Sequence, residues 1–294
     1  MIGCALTIII IILVLVLCGL LLFRLSINRF LANTREKIID NCLNLAEINY
    51  TETLTKPKVP GQYEYTIARA LLETSLKVTQ SNCYNIIPID TPPGFTEQAR
   101  IQGINPWSNN VEMFCIVFSS GSKYLIVFTG TMFPDEIMND LNIRQTDTSS
   151  LNNHIEGSMV HQGFYNVYMA IRPELWSRIV NPSELYITGH SLGGALSTLC
   201  AFYFAQYKPT HYSFGSPRVG NVTFAEKYNE LVDGVRVYNI ADTITVVPPP
   251  LILNLVYQHV KGGVAFDINT GNMRDNHIKA YLTNMPKCVP YRGC

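Results

Sequence analysis

A serine hydroxyl attacks an ester only when a base takes its proton and a carboxylate holds that base in place. Gly189-His190-Ser191-Leu192-Gly193 is where such a serine would sit. The pentapeptide follows Glu184 to Thr188, which reads as a short strand, and opens the Ala/Leu-rich stretch Ser191 to Ala205, which reads as a helix. Strand, turn and helix in that order are what a G-x-S-x-G elbow needs. The glycines allow a sharp turn and close approach of substrate, and a helix N-terminus aims N–H groups at developing negative charge. Alone the pattern is weak, because a glycine-rich turn with Ser191 as helix N-cap gives the same letters.

Both partners occur downstream. Asp242 lies just past a strand expected over Val235 to Ile240, where loops leave the same sheet edge as the elbow. His277 follows in Asp275-Asn276-His277-Ile278, giving the order Ser, Asp, His. Asp233 and Asp267 compete for the acid's place and His259 for the base's, and Asp242 reads equally well as a turn cap.

The elements that must position these residues alternate. A helix is expected over Tyr63 to Leu76, a hairpin over Val111 to Ser119 and Tyr124 to Phe128 around Ser120-Gly121-Ser122, and a helix over Gly163 to Val180. Beyond the elbow, strands are expected at His211 to Phe214 and Val235 to Ile240, with the helix Asn221 to Val232 between them. This alternation predicts an α/β fold with a mostly parallel central sheet, in one domain.

Composition narrows the function. Lys+Arg and Asp+Glu are 22 each, so there is no basic surface in bulk and nucleic acid is an unfavoured partner. No close His/Cys cluster suggests a metal. The N-terminal run 5–23 is uncharged and about 19 residues long, enough at roughly 1.5 Å per residue to cross a bilayer core of about 30 Å. The expected organisation is a single transmembrane anchor at 1–25, a spacer at 26–60 and the α/β domain at 61–294. Two signals disagree on sidedness. Arg24, Arg29, Arg35 and Lys37 after the run favour a cytoplasmic domain. Six later cysteines and the sequons Asn49-Tyr50-Thr51 and Asn221-Val222-Thr223 fit an oxidising compartment.

Five blocks in order carry a family resemblance: Val127-Phe128-Thr129-Gly130-Thr131, Val160-His161-Gln162-Gly163-Phe164, the elbow extended to Ala195, Phe214-Gly215-Ser216-Pro217-Arg218-Val219-Gly220-Asn221, and Asn239-Ile240-Ala241-Asp242, with His277 ahead of Tyr281-Leu282. Together they resemble the class 3 lipases, the fungal triacylglycerol lipase family of α/β-hydrolase fold. The resemblance implies Ser191 as nucleophile, Asp242 as acid, His277 as base, and an oxyanion hole from the N–H groups of Thr131 and Leu192. It implies a lipid ester substrate and no cofactor. Thr129 departs from the pattern, since the family more often has arginine there.

By the same resemblance Met132 to Leu141 occupies the place of a lid, and Cys83 pairs with Cys288, while Cys115 and Cys200 read as buried thiols. Apolar Ile244 to Val256 is expected either to line an acyl groove or to be a buried loop. The expectation is a membrane-anchored serine lipase acting on acylglycerol or phospholipid. The alternative is a catalytically silent lipase-like domain that binds lipid or serves a membrane structure.

Overall fold

The computed structural model of this chain describes residue 24 and residues 48–54, 59, 61–81, 89–107, 109–131 and 143–289. The chain divides into two compact units, 1–46 and 47–294. The expected anchor, run 5–23, lies outside the described residues, as does the expected lid at 132–141. Among the described residues no helix is long and apolar enough to cross a membrane.

In the second unit the strands are β1 (Thr96–Ile104), β2 (Val111–Ser120), β3 (Lys123–Phe128), β4 (Gln145–Asp147), β5 (Met159–His161), β6 (Glu184–His190), β7 (Thr210–Phe214), β8 (Gly234–Asn239), β9 (Leu251–Ile252), β10 (Leu255–Val256) and β11 (Gly263–Phe266). The helices are α1 (Tyr65–Ser81), α2 (Gln162–Arg178), α3 (Leu192–Tyr203), α4 (Val222–Leu231), α5 (Met273–His277) and α6 (Lys279–Asn284). Seven strands form one sheet in the order β1-β2-β3-β6-β7-β8-β11. β2 runs antiparallel to β1 and β3, and from β3 onward every pair is parallel. The mostly parallel sheet expected from the alternation is therefore present.

A sheet covered on both faces needs strands that are apolar throughout rather than alternating. β3 and β6 meet that need: Leu125 to Phe128 and Leu185 to His190 are all buried. Ile126, Phe128, Leu185 and Ile187 pack with Phe164 and Tyr168 of α2 and Leu196, Leu199 and Cys200 of α3. Period-2 alternation sends Leu125, Val127 and Tyr186 to the other face, where α1 lies against β3 and β6.

The helix expected over Tyr63 to Leu76 runs from Tyr65 to Ser81, and the polar Lys77, Thr79 and Ser81 of its last part are buried. Thr74, Ser75, Thr79 and Ser81 bond back to the carbonyls of Ala70, Leu72, Ser75 and Val78 at 2.7–2.9 Å, so burying them leaves no hydroxyl unpaired. Glu73, also buried, accepts from Arg69 Nε, Thr51 Oγ1 and Thr51 N at 2.6–2.9 Å. Residues 48–54, read from sequence as spacer, thus belong to this unit: Ile48 is buried and Tyr50 donates to the Asp90 carbonyl.

Cys115 and Cys200 are buried free thiols, as expected. Cys288 is disulfide-bonded, and Cys83, the partner the resemblance implied, lies outside the described residues. The second sequon is already committed. Asn221 Nδ2 donates to the Gly157 carbonyl, and Oδ1 accepts from Met159 N and Phe224 N as the N-cap of α4, so a glycan there would break the cap.

The approach of α3 to the sheet places the elbow. A Cβ on Gly193 would stand 2.5 Å from the Phe128 carbonyl oxygen and 2.8 Å from that of Thr129. Both obstacles are backbone, and neither can swing aside. Gly193→Ala is therefore expected to lower stability by about 1–3 kcal/mol through overpacking. A thermal unfolding midpoint equal to wild type would remove this account of the contact.

Candidate active site

β6 ends at His190, and the chain turns into α3 through Ser191, which has φ 60° and ψ −126°. A positive φ is costly for any residue with a Cβ, so this turn stores strain at the residue the sequence singled out. Ser191 makes no capping bond, which disposes of the simple N-cap reading. Its N–H donates to the Phe214 carbonyl at 2.9 Å, while its Oγ is buried without a hydrogen-bond partner.

Asp242 follows β8 and is fully buried. Its Oδ2 accepts from His277 Nδ1 at 2.8 Å and from Tyr281 OH at 2.6 Å, and its Oδ1 from Ile244 N at 3.0 Å. The turn-cap reading was thus correct in part, since one oxygen caps the turn while the other holds the imidazole. Burial pushes the Asp242 carboxyl up, but His277 and the bonds from His277, Tyr281 and Ile244 outweigh it and hold it below its usual range. With Nδ1–H donating to the carboxylate, the lone pair of His277 is left at Nε2, which has no partner.

The end of β7 joins the two halves. Gly215 has φ +56°, and a Cβ there would stand 3.0 Å from His277 Cε1 and 3.2 Å from Asp242 Oδ2. Its neighbour Phe214 is the residue that accepts the Ser191 N–H. Ser191 and the Asp242–His277 pair therefore flank the dipeptide 214–215. On the other side, a Cβ on Gly130 would lie 3.5 Å from Ser191 Cβ, so the chain leading into Thr131 passes beside the serine. Thr79 Oγ1 fixes that approach by accepting from Gly130 N at 2.8 Å. Leu192 is the first residue of α3, where an N–H has no acceptor within the helix.

The competing residues lie elsewhere. Asp233 accepts from Gly61 N at 2.6 Å and, at the opposite edge of the sheet, lines a cavity of about 480 Å³ with Lys208 and Lys261. Asp267 is exposed beyond β11. His259 donates from Nε2 to the Thr245 carbonyl at 2.7 Å. Thr129, the departure from the family pattern, is buried and satisfied locally by donating to the Met113 carbonyl at 2.9 Å.

Two residues the chemistry did not single out complete the arrangement. Tyr281 stood in the sequence only as a letter after His277, and its four-residue spacing was the available signal. His190 was read only as an elbow letter. Its Nε2 donates to the His277 carbonyl at 2.7 Å, and the two rings lie 4.5 Å apart. Chemically, the arrangement offers an imidazole lone pair fixed by a carboxylate and an unbonded hydroxyl at a helix N-terminus.

Three histidines are held neutral. Burial, then the neighbouring His277, lowers His190 to about 3; burial lowers His161 to about 4; burial, then Arg236 and Arg218, lowers His259 to about 3. An unfolded histidine takes up a proton below about 6.5 while these do not. Their contribution is complete above that pH and is lost as pH falls toward 3 to 4. Unfolding free energy measured by urea titration should therefore drop from pH 6.5 downward, by up to about 1.4 kcal/mol per pH unit per histidine. His190→Gln keeps a donor for the His277 carbonyl and removes one titrating group, so its profile should be shallower. A profile as steep as wild type would show that His190 takes up its proton in the folded protein.

The family model Lipase (class 3) matches residues 125–252, which include the elbow and Asp242. A secreted mono- and diacylglycerol lipase of Malassezia restricta is 32% identical over 123 residues, covering 38% of this chain and 40% of that protein. A chloroplastic phospholipase A(1) of Arabidopsis thaliana is 34% identical over 134 residues, covering 38% of this chain and 29% of that protein. The matches thus span well under half the length of these relatives. In the solved native complex of Rhizomucor miehei lipase with its propeptide, the fold agrees with a TM-score of 0.55 at 20% identity, covering 75% of this chain and 76% of that one. The five sequence blocks, the matched residues and the sheet order converge: over residues 125–252 the chain is similar to the class 3 lipases, and its fold is the α/β-hydrolase fold.

Proposed function

We propose that this protein is a serine hydrolase of lipid carboxylic esters, acylglycerol or phospholipid, working through Ser191, His277 and Asp242. The observation that carries the reading is the pairing of Asp242 with His277 Nδ1 while His277 Nε2 and the strained Ser191 Oγ, both buried, each lack a hydrogen-bond partner. The names of the relatives, a mono- and diacylglycerol lipase and a phospholipase A(1), support a lipid ester and leave the headgroup open.

In this reading His277 Nε2 takes the Ser191 proton as the oxygen attacks the acyl carbon. Asp242 stabilises the imidazolium that results. The N–H groups of Thr131 and Leu192 face the oxyanion, and His277 then gives its proton to the departing alcohol. Water repeats the cycle on the acyl-enzyme and frees the fatty acid. Tyr281 and His190 position the base, one through Asp242 and the other through the backbone of His277. The uncharged run 5–23 serves as a tether that keeps the site at high concentration near its substrate.

Fluorophosphonate labelling of the full chain tests this. The wild type should be labelled at Ser191 and Ser191→Ala should not, with hydrolysis of p-nitrophenyl butyrate falling by about 10⁴-fold or more. Equal labelling of the two chains, or none in either, would favour the catalytically silent domain.

A further inference from the structure

The segment 243–258 contains no charged residue. The sequence left Ile244 to Val256 as either groove lining or buried loop, and the segment is buried only in places. Ile244, Thr245, Pro248 and Tyr257 are covered, whereas Val246, Pro249, Pro250, Leu251, Leu253 and Val256 are exposed. The last three belong to the β9–β10 hairpin, in which Leu251 pairs with Val256 around a two-residue turn at Leu253-Asn254.

A surface hairpin ordinarily turns its apolar face inward and its polar face to water. Here Ile252 and Leu255 are half-buried on the inner face, yet the outer face is also aliphatic, with Leu251 68%, Leu253 81% and Val256 43% exposed. The apex adds a second cost. Leu253 has φ 46° and Asn254 φ 66°, the conformation of a tight hairpin turn that favours glycine and asparagine at both positions. A leucine at Leu253 therefore carries strain as well as exposed apolar area, and neither benefits the isolated domain.

The hairpin is fastened to the loops around the candidate site. Arg218, beyond β7, holds the preceding turn through the carbonyls of Val246 and Pro248. Gln145 Nε2 donates to the Val256 carbonyl at 2.8 Å, and Tyr257 OH to that of Ile143 at 2.9 Å. Asp242 lies at the start of the same connection.

We propose that the β9–β10 hairpin is a lipid-docking wedge that seats Leu251, Leu253 and Val256 in the acyl layer of a phospholipid surface beside the site. A convex, charge-free tip suits a fluid apolar phase, whereas a protein partner would have to supply a matching pocket. The absence of charge points to the acyl region and to no requirement for anionic headgroups. The proposal rests on the lipid-ester reading for its purpose, since docking here presents the acyl ester to Ser191.

The test uses the full chain with Leu253→Trp beside the unsubstituted chain, whose own tryptophans are Trp107 and Trp176. On phosphatidylcholine vesicles with brominated acyl chains, most of the emission added by the new tryptophan should be quenched, wherever else the chain touches the bilayer. No quenching of that added emission overturns the proposal.

In a second arm, Leu251→Thr with Leu253→Asn should slow hydrolysis of a vesicle-borne ester by about tenfold or more relative to soluble p-nitrophenyl butyrate. Asparagine is at home at that φ, so the unfolding midpoint should not fall. An unchanged ratio of the two rates overturns the proposal, as does a lipid-free dimer that the double variant disperses, which would assign the face to a second copy. If the unsubstituted chain hydrolyses neither ester, the esterase reading fails while the quenching still decides the docking.

Discussion

Asp242 is a carboxylate without exposed surface, and a buried charge is tolerated only when it is paired and fully hydrogen-bonded. Meeting that condition organises the C-terminal third of the domain. The turn after β8 supplies Ile244 N, α5 supplies His277, and α6 supplies Tyr281. These segments must themselves be fixed. Asn239 Nδ2 bonds the Ile268 and Asn276 carbonyls at 2.8 and 3.0 Å, Asn239 N donates to Tyr281 OH at 3.1 Å, and His190 reaches across to the His277 carbonyl. Tyr281 OH thus accepts from the strand while donating to the carboxylate, and a shift of either helix would break two bonds together. Networks of this kind rigidify a site when every member is satisfied.

What could be read from sequence follows the strength of local signals. β3, β6 and α3 were legible because their apolar runs are long and lie beside glycines that mark turns. β1 was missed for an equally physical reason. Its pattern alternates polar residues at a sheet edge, where Glu97 and Arg100 pair at 2.7 Å, and such residues protect an exposed edge while hiding the strand from any hydrophobicity count. α1 was cut short at Leu76 because buried hydroxyls that bond to their own helix resemble surface residues. The triad candidates were legible as types and order. Asp242 was favoured over Asp233 and Asp267 by its place just past a strand and by the family blocks, and of the three it is the one that meets His277. Tyr281 and His190 were illegible as partners because their roles are contacts between elements, about 40 and 90 residues apart along the chain.

The same network explains why two polar atoms at its centre stay unbonded. Some buried polar groups nearby are paired, since Ser197 Oγ, His211 and Tyr228 OH form a connected chain beneath α3 and Thr188 Oγ1 donates to the Tyr212 carbonyl at 2.8 Å, while others, such as Tyr168 OH and Ser213 Oγ, have no partner. At the elbow, Ser191 sits at a costly φ with its hydroxyl unpaired, and His277 leaves Nε2 unpaired although its Nδ1 and its carbonyl are both held. Leaving a buried polar atom unsatisfied costs about 1–3 kcal/mol, and a strained backbone of this kind about as much. A glycine or alanine at position 191 would remove the orphaned hydroxyl at once. That stability is forgone at one turn, while the surrounding carboxylate, tyrosine and second histidine are fully employed in holding the imidazole. What sets this turn apart from the other buried unpaired atoms is that the orphaned hydroxyl and a positive φ fall on the same residue, beside an imidazole held from two sides, and this is the combination on which the proposed role of Ser191 rests.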